Sequence, residues 1–116
     1  MAVGISCAST GSRAAMQLLE PLQTDATDFV RQGALIASAL VMLEQPESSG
    51  TDRLRRHLDT TIADKHEVTM AKMGAIMAQG ILNAGGRNCS LSLCTRDAKT
   101  LRMSSVVGMA VFLQYW

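Results

Sequence analysis

A chain of 116 residues is long enough for one domain, whose core should bury about two-thirds of its unfolded surface. With 47% hydrophobic and 18% charged residues it is not a disordered tail, and a formal net charge of +1 argues against a dedicated nucleic-acid binder. Aromatic residues make up only 3%, while Ala, Leu, Met, Val and nine glycines dominate, which suits closely approaching helices and not a β-sandwich built around large rings.

Cys7, Cys89 and Cys94 form an odd set with no secretory signal ahead of them, so free thiols in a reducing compartment are expected. The apolar stretch 106–113 is far shorter than the roughly 20 residues that span a bilayer. No basic segment precedes the first apolar residues, as a signal peptide would require. A soluble intracellular protein is expected.

Residues 1–8 are apolar and helix-like from the start, without a capping residue ahead of them. Residues 13–19 form a second helix, entered through Ser9-Thr10-Gly11-Ser12 with Ser12 as N-cap and closed by Pro21. Residues 24–28 are rich in capping and acidic types and introduce a nearly all-apolar helix over 29–44, which should be buried on most sides. After a loop at 46–50, Leu54, Leu58 and Ile62 recur every four residues opposite Arg53, Arg55, Arg56 and Asp59, predicting an amphipathic helix over 51–63. A turn at 64–66 leads to a second buried helix over 67–84, which Gly85 and Gly86 should end as a left-handed C-cap.

The pattern then changes. Residues 88–94 alternate polar and apolar, the period of a half-buried strand, and 100–103 could return as its partner around a turn at 96–99. Residues 106–116 read as a further apolar helix without a C-cap glycine or a basic last turn. Apolar helices at both ends predict a piece of something larger, with exposed faces that seek neighbours.

Self-similarity organises these elements. Gly33-Ala34-Leu35-Ile36-Ala37-Ser38-Ala39-Leu40 matches Gly74-Ala75-Ile76-Met77-Ala78-Gln79-Gly80-Ile81 in size and polarity at an offset of 74 − 33 = 41. Met1-Ala2-Val3-Gly4-Ile5 matches the second half of the same octad, residues 36–40, at an offset of 36 − 1 = 35. A basic step, Arg31 or Lys72, precedes each full octad. A period of 35–41 residues with two helices per unit is the signature of a helical solenoid, in which stacking supplies a core that no single pair can build. The small residues Gly4, Gly33, Ala34, Ala37, Gly74, Ala75, Ala78 and Gly80 should set how closely the inner helices approach.

The octad pattern, the Gly-containing turn after residue 8, and the ordered segments 29–40, 64–67, 70–86 and 105–108 resemble the proteasome/cyclosome repeat family over essentially the whole chain. The resemblance implies an all-α solenoid or toroid segment of stacked helix pairs with one short β-hairpin insertion. About two and a half repeat units would fill residues 1–86, the hairpin 87–103, and the start of a further buried helix 104–116. It also implies a non-catalytic scaffold in the base of the proteasome regulatory particle, contacting base ATPases and lid subunits in cytoplasm and nucleus. No cofactor, nucleic acid, membrane or small-molecule substrate is implied. The linker 46–52 and the hairpin depart from the family pattern and inherit no contact from it.

Other readings compete. A different helical-repeat adaptor, from the cyclosome or the second proteasome scaffold, would share the periodicity. A zinc site would need Cys89 and Cys94 with His57 and His66, but these spacings lack the tight pairs of compact zinc modules, and a C-x4-C pair on a strand points to opposite faces. A cysteine nucleophile at Cys7 lacks a base, and in an apolar helix it should act as a small hydrophobe. The run Arg53-Leu54-Arg55-Arg56-His57 is balanced by Asp52 and Asp59 and reads as a solvated face. The eight methionines fall at helical spacing, as core filling does.

Overall fold

The computed structural model describes residues 1–46, 48–84, 91–95, 97 and 100–114, with residue 49 described by its backbone alone. Six α-helices run in order among them: α1 (Ala2–Ser6), α2 (Arg13–Leu19), α3 (Asp28–Val41), α4 (Ser49–Ala63), α5 (Thr69–Ala84) and α6 (Met103–Leu113). The architecture is all-α, as the periodicity predicts.

The three octad segments fall on α1, α3 and α5, and these helices stand side by side with α3 in the middle. Burial follows from that place. Every residue of α3 from Ala34 to Val41 is buried, because α1, α2 and α5 all pack against it. Leu35, Leu40, Leu43, Leu58 and Leu93 are the large side chains most fully withdrawn from water. They join Ala75, Ala78, Ile81 and Leu82 of α5 in the main core, while Ala15, Leu19, Ala37 and Val41 form a smaller cluster under α2.

Local chemistry sets the boundaries. Ser12 caps α2 by accepting from the Ala15 N–H at 3.4 Å, and Ser48 caps α4 by accepting from Thr51 at the same distance. Pro21 does not close α2 outright. The chain continues as a 3-10 helix over Glu20–Thr24 with Pro21 in its first turn, where a missing N–H is harmless. α3 ends at Val41, three residues earlier than the apolar run, because Glu44 turns into left-handed backbone with φ 59°. α5 begins at Thr69 and not at Glu67: the Glu67 carboxylate accepts from the Val68 N–H, and Asp64 accepts from His66, so residues 64–68 form a bonded turn.

The expected hairpin is reduced among the described residues to one antiparallel bridge, Cys94 with Leu101, and no strand. Thr95 N–H donates to the Thr100 carbonyl at 2.9 Å and Arg102 N–H to Leu93 at 2.7 Å. The Ser92 hydroxyl bonds with the Cys94 backbone, a local pattern that competes with ladder formation. Met103 starts α6 and does not extend the second strand, and α6 thus begins three residues before the apolar run suggested. Cys89 and the proposed C-cap Gly85–Gly86 lie outside the described residues. Cys7 is half-buried as the C-cap of α1 and not enclosed within the helix.

Candidate interaction faces of the helix row

The glycines of the octads divide into two kinds. A Cβ built on Gly4 would lie 2.7 Å from the Ala37 Cα, and one on Gly74 would lie 2.8 Å from the Gln32 Cα. Both distances are too short for any side chain, so α1 meets α3, and α5 meets α3, with backbone nearly touching backbone. Ala37, Ala75 and Ala78 are fully buried, and Ala34 nearly so. By contrast, a Cβ on Gly33 or Gly80 meets nothing within 4 Å.

The repeat arithmetic relates the two kinds. Gly4 corresponds through the 35-residue offset to Ala39 and through the 41-residue offset to Gly80 (4 + 35 = 39; 39 + 41 = 80). Gly33 corresponds to Gly74 (33 + 41 = 74). Gly80 therefore stands on α5 where Gly4 stands on α1, yet faces open space. Gly33 stands on α3 where Gly74 stands on α5, and the five residues of α1 do not reach it.

Three polar devices hold the row, and none of them stands out in the sequence. The turn after α1 closes the C-terminus of α3: Ser9 N–H donates to the Leu40 carbonyl and Gly11 N–H to Val41, each at 3.0 Å. The Gln45 side chain returns the bond, donating to the Ser9 carbonyl at 2.7 Å. On the other flank Arg31 donates to the carbonyls of Asp25 and Ala26 and pairs with Glu67 at 2.7 Å, with only 14% and 21% of the two side chains exposed. Ser38, fully buried, donates back to the Ala34 carbonyl while accepting from Gln23 at 2.8 Å. The basic step before each octad was the only signal that could have marked Arg31.

Two of the grooves among the described residues lie between helices. One, between α5 and α6, is almost wholly apolar and includes Ile76, Gly80, Leu91, Gly108 and Phe112. The other lies between the α2/3-10 segment and α4; Met42 and Leu54 are buried beneath it, and Arg13, Glu20, Arg53 and His57 line it. His66 stands apart on the exposed turn after α4. Among the described residues no three His, Cys, Asp or Glu side chains are grouped to hold a metal ion, and no helix is long and apolar enough to cross a membrane.

A row of helices in close contact through glycine, with unfilled positions of the same repeat on its faces, defines an α-helical repeat segment. No family model matches the chain. It is nevertheless 54% identical, over its whole length, to the 26S proteasome non-ATPase regulatory subunit 1 homolog A of Arabidopsis thaliana. It is 50% identical to the 26S proteasome non-ATPase regulatory subunit 1 of Drosophila melanogaster and 48% to the 26S proteasome regulatory subunit rpn2 of Schizosaccharomyces pombe, again over its whole length. The chain thus matches this regulatory subunit along its whole length and spans 12% of the length of each of these relatives.

Proposed function

We propose that this chain is a non-catalytic scaffold segment of the proteasome regulatory particle base, supporting ubiquitin-dependent degradation by holding neighbouring subunits in place. The observation that carries this reading is the pairing of closed and open glycines. Gly4 and Gly74 are sealed against α3, while their repeat counterparts Gly80 and Gly33 face empty space of the same kind. A surface with unfilled positions of its own repeat is built to receive further helices of that repeat. Its neighbours in the particle would be base ATPases and lid subunits, and its place the cytoplasm and nucleus.

The test is a segment exchange. The matching stretch of the Arabidopsis relative is replaced by this chain, and incorporation into the regulatory particle is read by native gel and by co-purification of base and lid subunits. Normal incorporation, lost on Gly80→Val, is expected. An exchanged subunit that folds but never joins the particle, or one that joins equally well with Gly80→Val, would overturn the reading.

A further inference from the structure

We propose that the groove between α2, the 3-10 segment and α4 is a docking site for an acidic peptide segment of a partner protein, anchored by one apolar side chain. The groove has a volume of about 710 Å³ and lies on helices that are not part of the α1–α3–α5 row. Met42 and Leu54, both buried, underlie it, and Met16 lines it with them. Two methionines among these three residues can reshape around a Leu- or Met-sized anchor, as thioether side chains do at adaptable binding surfaces.

Its rim is basic. Arg13 and Arg53 are exposed, and Glu20 is the one acidic group lining it among the described residues. Glu20 holds Arg53 only loosely, at 3.4 Å, with 74% of the arginine side chain exposed, so the guanidinium is free to exchange partners. His57 adds a ring nitrogen, Nε2, that is shielded from solvent and has no hydrogen-bond partner. Ser48 and Gly50 bring the first turn of α4 to the same groove, where its amides favour negative charge. Gly50 keeps that end open: a Cβ there would meet Met42 no closer than 3.6 Å. Basic rim, apolar base and an unpartnered ring nitrogen together fit carboxylates flanking an apolar anchor.

The probe is a fluorescein-labelled peptide of alternating glutamate and leucine, titrated by anisotropy into the 116-residue chain, with a lysine-for-glutamate peptide as control. Saturable binding of the acidic peptide alone is expected. Arg13→Glu with Arg53→Glu should weaken it about tenfold or more, and Glu20→Gln should tighten it a few-fold. Gly50→Gln should block the groove while leaving the helical circular-dichroism spectrum unchanged. Equal binding of both peptides, indifference to the double arginine variant, or equally effective competition by tripolyphosphate would each overturn the proposal.

Discussion

Ser9 and Glu44 adopt the same left-handed backbone, with φ of 60° and 59°, and they are 44 − 9 = 35 residues apart, the offset that relates α1 to α3. The repeat therefore extends beyond side-chain size into conformation: α1 and α3 are each followed at an equivalent point by a residue in the region that glycine favours. One further offset of 41 leads from Glu44 to Gly85, where the sequence does supply a glycine.

Ser9→Gly should stabilise the chain by about 1 kcal/mol, because it relieves left-handed strain and removes a buried hydroxyl without a partner. Ser9→Val should lower stability, since a branched side chain at positive φ is strained further. Thermal melts followed by circular dichroism compare the two, and the same sign for both would contradict the account.

Substitution at the two kinds of glycine should give opposite results in the isolated chain. Gly74→Val must displace Gln32, backbone included, and should cost roughly 1–3 kcal/mol from overpacking. Gly33→Ala and Gly80→Ala enter open space on helices and should each gain about 0.5–1 kcal/mol from helix propensity. Urea titration of the three variants separates these cases.

Arg31 ties three segments together, and its loss should be felt at all of them. Arg31→Ala removes its bonds to Asp25, Ala26 and Glu67 from a largely buried site and should cost about 2–3 kcal/mol. Glu67→Gln keeps an acceptor for Arg31 and for the Val68 N–H, so its cost should be smaller. A double-mutant cycle measures the coupling, and a value near zero would show that the pair is incidental.

The isolated chain should self-associate through α6. Met103, Val107 and Val111 recur every four residues on this helix and are 66%, 57% and 62% exposed. Val107→Glu with Val111→Lys should shift sedimentation velocity profiles towards the monomer without loss of helix content.

What the sequence revealed was what short spacing encodes. The octads placed α1, α3 and α5, and the four-residue recurrence of Leu54 and Leu58 placed α4 with its buried side correct. Ser12 was likewise in capping position, whereas Ser48, the cap of α4, lay inside the stretch expected to be a loop. Hidden were relationships across long stretches of chain. Arg31 and Glu67 lie 36 residues apart and Ser9 and Gln45 equally far, and no local pattern pairs them. Nor does composition say which side of a glycine is covered: Gly33 and Gly74 look alike in sequence and differ only in what stands beside them. The alternation at 88–94 was legible as a tendency, but within the described part of it local hydroxyl bonding by Ser92 left only the Cys94–Leu101 bridge.

The cap that Ser9 and Gly11 place on α3 has a consequence for synthesis. Their amides bond to Leu40 and Val41, so the turn after α1 cannot complete its hydrogen bonds until residue 41 has left the ribosome, 41 − 11 = 30 residues later. At the usual elongation rate of about 5–20 residues per second, that delay is roughly two to six seconds. Throughout it α1 and α2 lack the helix that covers them and are a ready substrate for a nascent-chain chaperone.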